Sequence, residues 1–130
     1  MATVTAKYQL VFHVPPRALE ACKQLVFEAG AGRQQPGSGS NNYTECCWIT
    51  RGVGQSRPNG TVDAPVQHEE ESTVETYCFG EDVARRAVAA LKTAHPYDEP
   101  SYSVVKMEDV GCRLAHRHGA PIIGFYEMVV

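Results

Sequence analysis

The amino-acid sequence predicts an α+β domain of the ferredoxin-like type, a βαββαβ sandwich. Three observations carry that prediction. Apolar residues recur at period two in four stretches and at helical period in two others. The six stretches follow the order strand, helix, strand, strand, helix, strand. The chain has 130 residues, enough for one real core and too few for two ordinary ones. Both helices are then expected on one face of a four-stranded sheet, with the other face open.

The first strand is read at residues 7–14. Tyr8, Leu10, Phe12 and Val14 share one face, and Lys7, Gln9, Val11 and His13 share the other. Pro15-Pro16 stops it, and a proline suits the first turn of a helix. Residues 16–29 place Leu19, Cys22, Val26 and Ala29 at helical spacing, with Leu25 on the flank, and Gly30 and Gly32 supply the stop. Gln34 to Asn42 is polar and rich in Gly and Ser, which reads as a loop.

Residues 43–50 alternate again and are read as the second strand, with Cys46 and Cys47 on opposite faces and Trp48 as core or interface. Residues 51–71 hold Gly52, Gly54, Pro58, Asn59, Gly60 and Pro65 and read as a long irregular connection. Within it, Gly52-Val53-Gly54 is either a backbone anion nest beside Arg51 and Arg57 or a plain hairpin extension. Glu69-Glu70-Glu71 reads as a solvated acidic turn. The third strand is expected at 72–79. A helix follows through residue 94, with Glu81 and Asp82 in its first turn and Val83, Ala87, Val88 and Leu91 as its apolar stripe. The fourth strand is expected at 101–107. Val11, Trp48, Tyr77 and Phe79 lie at alternating strand positions, and some of them must point away from the helices. An apolar open face predicts a covering partner.

The loop Ala94-His95-Pro96-Tyr97-Asp98-Glu99-Pro100 joins the second helix to the last strand. Its prolines push His95 and Glu99 toward extended backbone and stiffen the segment. It is either a rigid connection or a polar corner of a binding cleft. Beyond residue 110, Arg113, His116, Arg117 and His118 form a basic stretch, and Pro121 to Val130 reads as an extra C-terminal strand. His116 and His118 would share a face if extended, which makes them metal candidates with no visible third ligand. The whole reads as one domain, with its core at 7–109 and an extension at 110–130.

Net charge is −3 with no basic block, which argues against nucleic acid as the main partner. No run approaches the ~20 apolar residues of a membrane span. Residues 1–9 carry no hydrophobic signal core. Five cysteines without a Cys-x-x-Cys pair read as reduced thiols rather than a zinc site. A cytoplasmic protein is therefore expected, and the sequons at Asn42 and Asn59 are read as accidental. No cofactor is indicated.

Several segments in order resemble one known family. They are Tyr8 to Pro15, Phe27 to Gly32, Asn42 to Cys46, Gly52 to Pro58, Glu75, and Ala94 to Pro100. Together they resemble the domain inserted in bacterial members of the NGG-interacting-factor-like family, often labelled GTP cyclohydrolase type 2-like. That domain is similar to the PII and CutA signalling proteins. The resemblance covers roughly residues 7–109, while the segment from Gly37 to Asn41 and the tail from His116 onward depart from it. It implies a CutA/PII-like ferredoxin fold, a homotrimer, and a binding or regulatory role. The family's dinuclear metal site of His, Asp and Glu lies in two flanking halves for which this chain has no room, so its activity is not carried over. The expected module is a small trimer whose ligand cleft draws on Glu75, His95, Tyr97 and Glu99, with Gln55 and Arg57 from the long loop. Two alternatives stand beside it. One is an enzyme using His95, Glu99 and Glu75 as acid and base. The other is a metal-binding protein using its histidines.

Overall fold

The computed structural model describes residues 5–33, 43–58 and 63–110. The elements are β1 (Lys7–Val14), α1 (Pro16–Glu28), β2 (Trp48–Ser56), β3 (Gln67–Phe79), α2 (Glu81–Ala94) and β4 (Tyr102–Met107). The strands form one sheet in the order β2-β3-β1-β4, and every neighbouring pair is antiparallel. Each strand–helix–strand unit leaves a gap that a strand of the other unit fills. That is the ferredoxin-like arrangement the element order predicts.

The core follows from the two periodicities. Leu10, Phe12 and Val14 of β1 meet Val74 and Cys78 of β3 on one side of the sheet. Cys22 and Val26 of α1, with Ala87 and Leu91 of α2, close over them. Ala18 and Ala84 are also buried, and neither belonged to the expected stripes. Small side chains at those points let helices sit close to the strands below. Tyr8, Leu19, Val83 and Val88 pack against this cluster from its margins. Among the described residues, no helix is long and apolar enough to cross a membrane.

The sequence reading misplaced one pair of elements. β2 begins at Trp48 rather than residue 43 and runs on to Ser56. β3 begins at Gln67, five residues earlier than its apolar alternation. The two pair continuously from Trp48↔Glu75 to Ser56↔Gln67. Gly52-Val53-Gly54 is therefore extended strand, not an anion nest, and Glu69-Glu70-Glu71 is strand, not turn. The physical reason is exposure. The hairpin projects past the end of β1, which pairs no further than Ser72, so neither face of its distal half is buried enough to demand apolar residues. Residues 43–47 form no strand, and Glu45 takes φ +57°, which interrupts extended backbone. Cys46 is exposed and Cys47 half-buried ahead of β2. The candidate fifth strand at 121–130 and the histidines at 116 and 118 lie outside the described residues.

Among the described residues, nothing covers the face of the sheet away from the helices. Strand alternation places Val11, Tyr77, Phe79, Trp48 and Val105 on it. Trp48 is 69% exposed and Val105 52%. The ammonium of Lys7 sits 4.0 Å above the Tyr77 ring. Burial there holds the Lys7 pKa below its ordinary value, against a smaller opposing pull from Asp109.

Gly32 fastens the end of α1 to this sheet. Its amide donates to the Tyr77 carbonyl at 2.9 Å, and its carbonyl accepts from the Cys46 amide at 2.8 Å. Its φ is +79°, and a Cβ there would lie 2.8 Å from the Cys46 nitrogen and 2.9 Å from the Phe27 ring. Gly32→Ala is expected to destabilise the fold by about 2 kcal/mol or more, since left-handed strain and a backbone clash add. Urea unfolding of both proteins checks this, and an unchanged midpoint would contradict it.

Candidate functional site

The site is assembled at the end of α2. Pro96 holds His95 extended, at φ −73° and ψ 137°, so the helix stops at Ala94. The His95 amide still closes the last turn onto the Leu91 carbonyl at 2.9 Å. Its side chain turns inward and is 6% exposed. Nε2 lies 2.7 Å from the His13 carbonyl oxygen, and the Tyr97 amide donates to Nδ1 at 3.1 Å. A carbonyl can only accept and an amide N–H can only donate. The imidazole is therefore neutral, with its proton on Nε2.

That ring fixes the next one. Tyr97 meets His95 edge-on, with centroids 4.8 Å apart and planes at 61°. The Tyr97 hydroxyl donates to Oε2 of Glu71 at 3.0 Å. Glu71 stands on the projecting part of β3, opposite Gly52. A Cβ on Gly54 would lie within 2.5 Å of Oε1 of Glu71, so the glycine leaves room for the carboxylate to cross the hairpin. Arg17 of α1 reaches Glu69 at 3.3 Å. On the hairpin, the His68 ring and the Gln55 side chain hydrogen-bond at 3.0 Å.

Between hairpin and loop lies a cavity of about 580 Å³, with Gln55, His68, Glu69, Glu71, Tyr97 and Glu99 in its wall. Its character is acidic. Burial, then the neighbouring Glu69 and Glu71 carboxylates, push the Tyr97 phenol well above its ordinary range. The Tyr97 hydroxyl and the Arg17 guanidinium hold the Glu69 carboxyl below its ordinary value. The Arg17–Glu69 pair is more than half exposed at both ends, so it adds little to stability.

Of the residues singled out in the sequence, the structure brings Gln55, Tyr97 and Glu99 to this cavity. His95 stands behind Tyr97, with both ring nitrogens engaged by backbone, and offers none to a substrate. Glu75 lies elsewhere. It accepts from Nε2 of Gln9 at 3.3 Å on the open face, four positions or about 13 Å along β3 from Glu71. Arg57 follows the end of β2 and does not line the cavity. Sequence reasoning missed Glu69, Glu71 and His68. The signal was Glu69 and Glu71 two apart, matched by glycines two apart across the ladder, but it surfaces only once the hairpin register is known. Among the described residues, no group of three or more His, Cys, Asp and Glu is placed to hold a metal ion.

Two substitutions probe this framework. His95→Ala leaves the His13 carbonyl and the Tyr97 amide unpaired beside a void. A loss of about 2–4 kcal/mol is expected in urea unfolding, and a loss under ~0.5 kcal/mol would contradict the buried bridge. Tyr97 has a raised folded pKa. Its contribution is therefore full below its unfolded value of 10.0 and is lost as pH rises beyond it. Tyr97→Phe should cost about 1 kcal/mol at neutral pH and reduce the alkaline loss of melting temperature, with a pH series read by calorimetry as the check. Parallel pH profiles would contradict the coupling.

No established protein-family signature matches the chain. It is 33% identical over 113 residues to a GTP cyclohydrolase 1 type 2 homolog of Listeria innocua, covering 82% of this chain and 29% of that protein. The chain thus spans under a third of the length of this relative. A solved Bacillus cereus protein related to NIF3 superposes with a TM-score of 0.70 at 26% identity, over 83% of this chain and 27% of that one. CutA1 from Ehrlichia chaffeensis superposes at 0.61 with 11% identity, over 88% of this chain and 92% of its own. GlnK of B. subtilis, solved as an ATP complex, does so at 0.53 with 16% identity, over 85% and 90%. The last two share the fold. Sequence and structure agree in one conclusion: the chain is similar to a domain that its NIF3-related relatives carry within a longer protein, and it has the fold of CutA.

Proposed function

We propose that this domain is a self-associating binding or regulatory module, not itself an enzyme, built as a homotrimer. The observation that carries the reading is the sheet face that no described residue covers. Trp48, Tyr77 and Val105 give it an apolar character that water does not favour. A closed ring of three copies covers such a face and shields edge strands that would otherwise template aggregation. The likeness in fold to CutA and GlnK supports a regulatory or binding role.

The ligand site in this reading is the cavity between the hairpin and the loop after α2. Gln55, Tyr97 and Glu99 lie in its wall. Glu75 and Gln9 face outward on the assembly face, and a neighbouring copy would bring them into a cleft between subunits. With Glu69, Glu71 and Glu99 around one cavity, the charge favours ligands that donate hydrogen bonds or carry an amine, and disfavours phosphates. The GlnK relative was solved with ATP, so the two ligand classes make a direct contrast.

Sedimentation equilibrium should report three times the 14.2 kDa chain mass, and Trp48→Asp should lower it. A monomer across micromolar concentrations overturns the trimer. A thermal-shift series should rank polyamines and amine-bearing metabolites above nucleotides, because binding to the folded state raises apparent stability. Glu99→Gln should weaken that shift while leaving the fold unchanged. A nucleotide preference would overturn the assignment of ligand class.

A further inference from the structure

On the helix side of the sheet, a groove of about 670 Å³ runs between α2 and β4. It arises because α2 packs over β3 and β1 rather than over β4. Leu10 pairs with Val104, so Tyr102 and Val104 face the helix side, as Tyr8 and Leu10 do. Tyr102 and Val104 stay 37% and 38% exposed there. Across from them α2 presents Arg85, Val88, Ala89 and Lys92, which share one face at helical spacing. The middle of the groove is therefore apolar, and its charges sit at the two ends. Toward the start of α2, Arg85 is paired with Glu81 at 2.7 Å. Toward its end, the Lys92 ammonium lies 5.4 Å from the centre of the Tyr102 ring. Among the described residues, no carboxylate pairs with Lys92. Arg85 and Lys92 are seven residues apart, about 10 Å of helix. Two cations against one carboxylate leave the groove net positive, in a chain whose net charge is −3.

We propose that this groove binds an amphiphilic monocarboxylate, a free fatty acid being the simplest example. The apolar tail lies between α2 and β4, and the carboxylate meets Lys92. Charge selects the headgroup. Lys92 can donate charge-assisted hydrogen bonds to it, and the Tyr102 ring already holds the ammonium near the mouth of the groove. A second negative charge at the far end of the ligand would meet Glu81, so dicarboxylates are disfavoured. Phosphate groups are better served by several cations or a nest of backbone N–H groups, and the groove offers one unpaired cation. The tail gains by leaving water against Val88, Ala89 and Val104. The volume lies within the ~300–1,000 Å³ of small-ligand sites. This groove and the acidic cavity beside Tyr97 share no wall residue and favour ligands of opposite charge. A single chain supplies every group named, with or without the trimer.

The test is an NMR titration of the full, methyl-labelled chain with octanoate, 1-octanol and suberate. Octanoate should shift the Val88 and Val104 methyl signals and bind about tenfold more tightly than octanol or suberate. Lys92→Gln should abolish that preference, so that octanoate and octanol bind alike. Ala89→Leu, which fills the trough from an exposed position, should weaken both by about tenfold. Both substitutions are at exposed sites, and an unchanged urea midpoint shows that the fold is kept. A preference for octanoate that survives Lys92→Gln overturns the proposal. So does octanol binding as tightly as octanoate to the unaltered chain, or octanoate binding that leaves the Val88 and Val104 signals in place. No shift at millimolar octanoate overturns it as well.

Discussion

The loop after α2 depends on one buried imidazole. His95 hydrogen-bonds the His13 carbonyl, near the end of β1, on one side and the backbone of its own loop on the other. Both partners are backbone groups, so the side chain acts as a spacer of fixed length between two segments 82 residues apart in sequence. Without it, nothing would hold the Tyr97 ring at its angle, and the Tyr97 hydroxyl would not find Glu71. The cavity wall is therefore set by a contact on the side of the loop facing away from the cavity. A residue that looks like chemistry in the sequence acts here through geometry, and the polar contacts at the cavity are delegated to its neighbours.

Much of the fold could be read from the sequence, and the reasons for success and failure are the same. β1, α1 and α2 were legible because each buries one face, and burial imposes a period on the residues. β2 was not, because the hairpin leaves the body and both its faces meet water. Glycines and a run of glutamates then mimic a loop. Main-chain pairing holds that arm in register, and main-chain pairing has little residue signature. The site divides along the same line. Tyr97 and Glu99 stand out through the prolines around them, Gln55 through its place in the long segment. Glu69 and Glu71 could not be seen, since their meaning depends on which residues lie across the ladder. His95 was conspicuous in sequence, yet its burial depends on β1, far away in the chain.

The two faces of the sheet have different chemistry. The helix side holds Phe12, Leu10 and Leu91 out of water entirely. The other side mixes aromatic and aliphatic residues with a hydrogen-bonded Gln9–Glu75 pair and a lysine over a tyrosine. Such a surface suits association that must find one orientation, since the polar pairs penalise a rotated or slipped partner more than a purely apolar patch would. It also suits a protein that meets its partners after folding, because the core is complete without them.

The Gly32 bridge has a consequence for how the chain tolerates change. Its two backbone bonds join the end of α1, the carbonyl of Tyr77 and the amide of Cys46 at one point. The clasp holds Gly32 beside Cys46, so β2 is delivered to its register by the clasp rather than by the length of the segment between them. The segment is thus a free parameter of the architecture. Lengthening it costs only closure entropy, roughly 0.6 kcal/mol for each doubling. A new ligand-reading loop, a tag or a whole guest domain could be spliced there while the sheet, the core and the site at the far end keep their geometry.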